Sequence, residues 1–432
     1  MTRIDNNALR PLRPQSLAAL LLAMFAIALG YGLLLPILPS TIARIAGTSD
    51  PAILARHTGV LTGTYTLALF LFAPLWGRLS DRYGRRPVIV AGLVGFASTL
   101  LLFALAASLS SLYLGRFLNG AFAASISPAA YALVGDLAPS KEWRAHRFAL
   151  LNIAGASGFL VGPMMGGFVL SGIGDILPGL SETEISRSPF FATSGLALVV
   201  AILVAAFEPG RVTRGPDRRE DASLPEGWAA LPRLLAISFV TALAVGAFEV
   251  GLSLRGTQTL GMSTYRLGLM FTECSLVMLV VQSLVRPDVT RWLLTPSLAV
   301  LAVGVAAVPF ASSDAGTAIV VAMIAASAGI LSPVVTYWIS MSAGERQGAN
   351  LGWQTASASL GQAAGSAAGG LLFGVTFLPN ASFKLTAVVV LAGLTASIGV
   401  PHLLKRSGRR GSGGPEPASP KGVGLSGEER RP

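Results

Sequence analysis

The hydrophobic residues of this 432-residue chain fall into separate blocks of about 20 residues, divided by short polar and charged segments. A block of that length crosses a hydrocarbon core of about 30 Å as an α-helix, because each residue adds about 1.5 Å. The pattern therefore predicts an all-α membrane protein with twelve transmembrane helices. Their predicted bounds are 17–43, 58–76, 87–107, 110–134, 147–171, 190–207, 233–254, 266–285, 292–311, 315–340, 349–374 and 382–404.

A polar segment divides these helices into two sets of six. Residues 208–232 read EPGRVTRGPDRREDASLPEGWAALP, which is rich in charge, Pro and Gly, has no apolar periodicity and is typical of a soluble linker. We therefore expect two pseudo-symmetric six-helix bundles, 17–207 and 233–404. The flanking segments are predicted to be an N-terminal tail, 1–16, and a disordered C-terminal tail, 405–432.

A repeated segment indicates that the two halves are related. GASGFLVGPMMGGFVL at 155–170 aligns without gaps to ASLGQAAGSAAGGLLF at 358–373. The coinciding glycines include Gly162 with Gly365, Gly166 with Gly369, and Gly167 with Gly370. Small residues recur in any membrane helix because they let backbones approach closely, but the fixed register favours a repeat. Duplicated halves are a recurrent transporter architecture, with the substrate site at their interface.

The composition agrees with a protein embedded in a lipid bilayer. Hydrophobic residues make up 52% of the chain and charged residues 12%, whereas a soluble domain carries about 25% charged residues. The net charge is +11, but the positive residues lie between the apolar blocks, which argues against a nucleic-acid partner. Cys274 is the single cysteine, so no disulfide forms within the chain. The first apolar run, from Leu17 to Pro39, is longer than a signal-peptide core and predicts an uncleaved helix.

The distribution of the 32 Lys and Arg residues predicts the orientation. Most of them lie in the two tails, the linker and the alternate loops on the same side. The opposite side carries Arg44, Arg56, Arg187, Arg255, Arg266 and Lys384. By the positive-inside rule both termini and the linker are cytoplasmic, which requires an even number of spans.

The segment GRLSDRYGRRP, Gly77–Pro87, lies in the predicted cytoplasmic loop between the second and third spans. Its glycines permit tight turns, and its carboxylate and guanidinium groups are able to exchange partners between two conformations. The segment resembles the signature of the major facilitator superfamily at the same loop. The alternative is a cluster of positive charge that only anchors the loop to the cytoplasmic side.

The resemblance implies that this loop is a latch that closes the cytoplasmic side. In that family an acid lies near a helix N-terminus of the other half, and an arginine lies near an acid that ends the fourth helix; those positions would be Asp81, Arg82 and Asp136. The gating residues predicted in this way are Gly77, Asp81, Arg82, Gly84, Arg85, Arg86 and Asp136. In the second half, VRPDVTRWLL retains Arg286, Asp288 and Arg291 but has no glycine turns, which argues against a second latch.

Two further segments resemble motifs of the drug and proton antiporters in this superfamily, the group of tetracycline and multidrug exporters. LYLGRFLNGAFAA, Leu112–Ala124, is similar to the fourth-helix motif through Arg116 and Gly120. GASGFLVGPMMGG is similar to the fifth-helix motif through Gly158, Gly162, Pro163, Gly166 and Gly167. The Gly-Pro pair is expected to bend the helix, and the other glycines to contact the opposite half. The second similarity favours export, although a bent packing helix needs no such role.

Three charged residues inside predicted spans are candidates for proton coupling: Glu249, Glu273 and Arg116. Their predicted depths are similar, and charged groups at such depths usually face a cavity or a partner. The first span has no acid, unlike many drug antiporters of this type. Side chains expected to contact substrate in a central cavity are Tyr31, Asn119, Trp338 and Gln362, although a packing role is an equal alternative for the aromatic ones.

The sequence thus predicts a proton-driven exporter of small amphiphilic molecules in the bacterial inner membrane, working by alternating access and functional as a monomer. No cofactor, metal or catalytic residue is predicted. None of the four lysines follows glycine, which excludes the phosphate loop of an ATP-driven pump. A facilitator or importer that does not use protons, and a sensor that keeps the fold without transport, remain open alternatives.

Overall fold

The computed structural model describes residues 13–176, 181–207, 230–285, 291–342, 347–373, 380–401 and 403. These residues form thirteen α-helices and, within the ranges given, no β-strand. The helices are α1 (Pro14–Ala46), α2 (Pro51–Tyr83), α3 (Arg85–Ala104), α4 (Leu109–Ala123), α5 (Ile126–Asp136), α6 (Lys141–Ile176), α7 (Glu182–Phe207), α8 (Leu231–Leu254), α9 (Thr264–Leu284), α10 (Leu294–Ala307), α11 (Asp314–Ser342), α12 (Gln347–Phe373) and α13 (Ala381–Ser397). Most of the predicted linker, Arg286 and Asp288 of the segment VRPDVTRWLL, and the C-terminal tail lie outside the described residues.

The prediction of many membrane-spanning helices is confirmed. Among the described residues, nine segments are long and apolar enough to cross a membrane, counting α4 with α5 as one segment and α8 with the turn that follows it as another. The helices α10 and α13 are apolar but shorter. The number of twelve spans and the cytoplasmic position of the termini stay predictions.

The connection between α2 and α3 is shorter than the sequence suggested. We predicted a loop over Gly77–Pro87, but α2 continues to Tyr83 and α3 begins at Arg85. Gly84 alone separates them, and its φ of 100° is a conformation that side chains disfavour. One glycine therefore reverses the chain, and it places the start of α3 beside the end of α2.

The packing of the helices follows the internal repeat. The first helix of each half lies along the helix that carries the repeated glycines, α1 along α6 and α8 along α12. Two other pairs join the halves, α2 with α12 and α6 with α9. The interface between the halves is therefore lined by α1, α2, α6, α8, α9 and α12.

The helix α8 ends in a π-helical turn, Arg255–Thr259. The guanidinium group of Arg255 donates hydrogen bonds to the backbone carbonyl oxygens of Pro309 and Ala311, at 2.8 and 3.1 Å. These bonds tie the end of α8 to the segment between α10 and α11. A π turn inside a helix often accompanies a functional site, and this one begins six residues after Glu249.

Candidate functional site

A buried hydrogen-bonded cluster lies where three helices from the two halves meet. The hydroxyl of Tyr31 on α1 donates to Glu249 Oε2 on α8 at 2.7 Å. The side-chain amide of Gln362 on α12 donates to Tyr31 Oη at 3.1 Å and to Glu249 Oε2 at 3.3 Å. Only 4% of Glu249 is exposed. A carboxylate at this position is thus held by donors from both halves of the protein.

The guanidinium group of Arg116 on α4 lies against the aromatic side of this cluster. Its central carbon is 4.3 Å from the ring centroid of Tyr65 and 5.3 Å from that of Tyr31. Arg116 is fully buried, and its three side-chain nitrogens have no hydrogen-bond partner among the described residues. Cation–π contacts of this kind are worth about 2 kcal/mol when they are shielded from water. Arg116 also interacts electrostatically with Glu249, with the Tyr31 side chain as the structural link between them.

Tyr65 is the member of the site that the sequence did not reveal. Its ring centroid is 5.0 Å from that of Tyr31, and the Tyr31 ring also stacks on Phe159 of α6 at 5.8 Å. One signal was available, because tyrosines in membrane proteins concentrate at the two water interfaces and Tyr65 lies near the middle of α2. A tyrosine in the middle of a span is therefore worth noting in a protein that also has an arginine within a span.

The other predicted substrate residues have different neighbours. The amide of Asn119 donates to the Phe96 carbonyl oxygen at 3.3 Å and to Thr99 Oγ1 at 3.0 Å, both on α3. Asn119 therefore holds two helices of the first half together. Trp338 on α11 packs edge-on against Tyr337, with ring centroids 5.3 Å apart. Of the four predicted residues, the structure brings Tyr31 and Gln362 together with Glu249.

Glu273 has a different setting from Glu249. It is partly buried, near the middle of α9. At helical spacing it shares a face with the exposed apolar residues Leu269, Leu276 and Val280. The hydrogen bonds of the buried cluster join Glu249, and not Glu273, to the first half.

The predicted latch residues do meet, but with a different arginine at the centre. Arg85 contacts Asp81 Oδ1 at 2.6 Å and Asp136 Oδ2 at 3.1 Å. It also donates to the hydroxyl of Ser80 at 2.6 Å. The resemblance had implied that Arg82 would lie at the acid that ends the fourth helix, and this expectation is wrong in this conformation. The reversal at Gly84 explains the difference, because it turns the first residue of α3 back toward the ends of α2 and α5.

The remaining latch residues lie around this centre. The guanidinium group of Arg82 stacks on Tyr83, 5.5 Å from the ring centroid. Arg86 donates a hydrogen bond to the backbone carbonyl of Ala205 near the end of α7. A Cβ atom at Gly77 would have nothing within 4 Å, so packing in this conformation does not require a glycine there.

The glycines of the predicted antiporter motif contact their own half. A Cβ atom at Gly158 would overlap the carbonyl oxygen of Phe25 on α1, and one at Gly162 would lie 2.6 Å from that of Leu29. Gly166 faces the same helix. Our expectation that these glycines contact the opposite half is therefore wrong, because α6 lies along α1 over this stretch. Gly167 of the predicted motif lies outside the residues whose side-chain environment is described.

The second copy of the repeat uses its glycines in the same way. A Cβ atom at Gly361 or Gly365 on α12 would overlap the carbonyl oxygen of Phe239 or Leu243 on α8. Gly361 and Gly365 are the positions that align with Gly158 and Gly162. The repeat is therefore a repeated packing device, which brings two helices of one half into backbone contact.

A contact with the opposite half is provided instead by the backbone next to Pro163. Proline has no N–H group, so the carbonyl four residues earlier, at Phe159, lacks its usual helical donor. The hydroxyl of Ser275 on α9 lies 3.5 Å from this oxygen and also donates to the Phe271 carbonyl of its own helix at 2.9 Å. The freed Phe159 carbonyl thus faces the seam between α6 and α9, whereas the Pro163 ring lies beside Gly32 of α1.

Within the part of the chain that the structure describes, the tightest contact between the halves is between α2 and α12. A Cβ atom at Gly59 would lie 2.5 Å from the Cα of Gly370, and one at Gly63 would lie 2.9 Å from the carbonyl oxygen of Ala363. Side chains at these positions would force the two helices apart.

In addition to the bonds of the buried cluster, the described residues form further hydrogen bonds between the halves, at the level of Glu249 and beyond it, toward the end of the bundle opposite the latch. They join Ser253 to Leu35, Gln258 to Pro51, and Thr272 to Leu160. The halves are thus joined at the level of Glu249 and beyond it, on the side away from the Arg85 pairs.

Comparisons with known proteins agree with this architecture. The family model of the Major Facilitator Superfamily matches residues 20–287. "Multidrug resistance protein 1" of Bacillus subtilis (strain 168) is 27% identical over 408 residues, which cover 91% of this chain and 98% of the relative. "Tetracycline resistance protein, class B" of Escherichia coli is 36% identical over 177 residues, which cover 41% of this chain and 40% of the relative. The solved structure of the human organic anion transporter MFSD10 (TETRAN) superposes with a TM-score of 0.69 at 20% identity, covering 90% of this chain and 100% of that one, which is a likeness of fold.

Proposed function

We propose, since the chain belongs to the Major Facilitator Superfamily, that it exports small amphiphilic molecules across the bacterial inner membrane in exchange for protons. It is a multi-pass membrane transporter and not an enzyme. The observation that carries the proposal is the buried cluster of Tyr31, Glu249 and Gln362, with Arg116 beside it. The similar multidrug and tetracycline resistance proteins support the direction and the substrate class.

Glu249 is the proposed proton carrier. As a carboxylate it accepts two hydrogen bonds, from Tyr31 on one half and Gln362 on its own half, and it balances the charge of Arg116. A proton on Glu249 removes that charge and weakens both bonds, because hydrogen bonds to a charged acceptor are about twice as strong as neutral ones. Since Tyr31 belongs to the other half, protonation changes the bond that joins the halves at Glu249. In this way, proton binding to Glu249 is coupled to the movement of the two halves relative to each other.

The conformation described here is proposed to be the one that opens toward the latch. The contacts beyond Glu249 close the opposite end, through Gly59 with Gly370 and Ser253 with Leu35. The arrangement of two six-helix bundles, 17–207 and 233–404, with twelve spans and cytoplasmic termini, makes the latch end cytoplasmic. The Arg85 pairs with Asp81 and Asp136 are proposed to rearrange when that end closes.

The test is proton movement driven by substrate in proteoliposomes. Liposomes with a trapped pH indicator receive a panel of antibiotics and cationic dyes, with wild type, Glu249→Gln and Glu273→Gln compared. We expect the proton signal to disappear in Glu249→Gln and to persist in Glu273→Gln, which is the matched change at a similar depth. Loss of the signal only in Glu273→Gln would move the proton site to α9.

Other outcomes separate the alternatives. Substrate flux without any proton movement in wild type would identify a facilitator. Uptake driven by an inward proton gradient would identify an importer. Binding of substrate without flux under any gradient would identify a sensor.

A further inference from the structure

Arg116 carries hydrogen-bonding capacity that the described conformation does not use. Its guanidinium group presents N–H donors in a fixed fork, and Nε, Nη1 and Nη2 are all buried without a hydrogen-bond partner among the described residues. The rings of Tyr65 and Tyr31 cover the group, and ring faces satisfy N–H donors only weakly. Leaving donors of a charged group unpaired in a buried site is costly. Such a group is suited to receive an acceptor in another state of the protein.

The charges around Arg116 indicate when that acceptor is needed. Among the described residues, the titratable groups that interact with Glu249 are Tyr31, Arg116 and Cys274, and Tyr65 faces Arg116 directly. While Glu249 is ionised, it balances the positive charge of Arg116. Once Glu249 takes up a proton, none of the described residues around Arg116 carries a negative charge that compensates its positive charge. An isolated buried charge is strongly disfavoured.

The same protonation step also loosens the cover over Arg116. The Tyr31 ring is held in place by the bond from its hydroxyl to Glu249 Oε2, at 2.7 Å. A neutral carboxyl group accepts this bond less strongly than a carboxylate does. The ring that lies on the guanidinium group is therefore freer to move in the state in which the guanidinium group needs an anion.

We infer that Arg116 binds the carboxylate of the transported molecule when Glu249 carries a proton. The inference rests on the proposed function in one respect, namely that the anion belongs to the transported molecule. The fork of the guanidinium group fits a carboxylate through two parallel hydrogen bonds. The rings of Tyr31, Tyr65 and Phe159 provide an apolar wall for an aromatic or aliphatic remainder. The preferred substrate class is therefore an amphiphile that bears a carboxylate, including zwitterions.

The experiment is equilibrium binding to the purified full-length protein in detergent, which needs no proton gradient. The probes are three naphthalene compounds of the same size: 1-naphthoate, 1-naphthalenemethanol and 1-naphthylmethylamine, with negative, no and positive charge. Glu249→Gln fixes the neutral state of that side chain. We expect 1-naphthoate to bind Glu249→Gln about tenfold to a hundredfold more tightly than wild type at pH 8, the ratio that one or two charge-assisted hydrogen bonds provide. Equal affinity of Glu249→Gln for the alcohol and the carboxylate would overturn the inference.

Two further arms establish the residue and the source of the anion. Arg116→Gln in the Glu249→Gln background is expected to remove the preference for the carboxylate, with helical content checked by circular dichroism. If that variant does not fold, Arg116→Lys keeps a point charge without the fork, and it should retain only part of the preference. Displacement of 1-naphthoate by chloride at equal affinity would overturn the assignment to a carboxylate. A charge preference that persists while proteoliposomes show no proton movement would refute the proposed coupling and leave the anion site standing.

Discussion

The hydroxyl of Ser253 on α8 donates a hydrogen bond of 3.0 Å to the backbone carbonyl oxygen of Leu35 on α1. Within α1 that oxygen lacks its usual donor, because the residue four positions later is Pro39, which has no N–H group. A proline in one half thus frees an acceptor, and a serine of the other half uses it. At the seam between α6 and α9, Pro163 likewise frees the Phe159 carbonyl oxygen, but the Ser275 hydroxyl lies 3.5 Å from it and donates to the Phe271 carbonyl of its own helix at 2.9 Å.

The change Ser253→Ala tests the contribution of this bond to closure. It leaves the buried Leu35 carbonyl without a donor, which costs about 1–3 kcal/mol in the closed state and less when that end opens to water. We expect a shift toward the state that is open away from the latch, seen as an increase in the distance between spin labels on α2 and α12. Ser283→Ala is the matched control, because that exposed hydroxyl donates only to the Leu279 carbonyl of its own helix. An unchanged distance distribution in Ser253→Ala would contradict this role.

The change Gly59→Leu tests the backbone contact between α2 and α12. Its side chain would meet the backbone of Gly370 at 2.5 Å from the first added carbon, and backbone does not move aside as a side chain does. We expect closure at that end to fail, with transport lost and the protein still folded. Gly195→Leu on α7 is the control, because a Cβ atom there meets nothing within 4 Å. Both variants are compared by transport rate and by thermal unfolding in detergent.

We predict that the loss of Arg85 lowers the free energy of unfolding more than the loss of Arg82 does. The resemblance implied the opposite, because it assigned the contact with Asp136 to Arg82. Arg85→Gln removes contacts with Asp81, Asp136 and Ser80, whereas Arg82→Gln removes a stacking contact with Tyr83. Because Arg85 is buried and its acids are partly exposed, we expect its loss to lower the free energy of unfolding by about 1–3 kcal/mol. The loss of Arg82 should cost less than about 1 kcal/mol. Chemical unfolding in mixed micelles measures both, and equal effects would argue against Arg85 as the centre.

Substitutions of Tyr31 separate the role of its hydroxyl from that of its ring. Tyr31→Phe removes the donor to Glu249 and should lower stability by about 1–2 kcal/mol, while the cation–π contact with Arg116 is kept. Tyr31→Leu removes both and should cost about 1–2 kcal/mol more. Tyr65→Leu removes the nearer ring from Arg116 and serves as the comparison. If Phe and Leu at position 31 prove equally destabilising, the ring contact contributes nothing measurable.

The sequence predicted those residues of the site that are unusual in their own segment of the chain. Arg116 and Glu249 are charged residues within apolar blocks, and that cost alone marks them. Gly84 was recognised as a turn residue, but the sequence did not reveal that a single residue makes the whole turn. The contact with Asp136 was therefore assigned to Arg82, before the turn at Gly84, whereas Arg85, after the turn, makes it.

The pairings within the site needed the structure. Tyr31 lies 218 residues from Glu249 and 331 from Gln362 along the chain, so their contacts depend on how α1, α8 and α12 pack. Ser253 is an ordinary residue for a membrane helix, and nothing in its local sequence indicates a partner. The position of Tyr65 inside a span is unusual for a tyrosine, but it does not indicate which residues Tyr65 contacts. The same holds for the glycines of α6, whose helix partner was predicted on the wrong half.

The glycine contact between α2 and α12 also bears on how this transporter is able to evolve. At the point of closest approach no side chain takes part, so no alternative residue fits and no compensating change nearby restores the fit. Recognition of cargo depends instead on side chains around Arg116, where size and polarity can vary without touching the seam. Selection for new cargo should leave Gly59 and Gly370 unchanged in every surviving lineage, while the positions around the guanidinium group diversify.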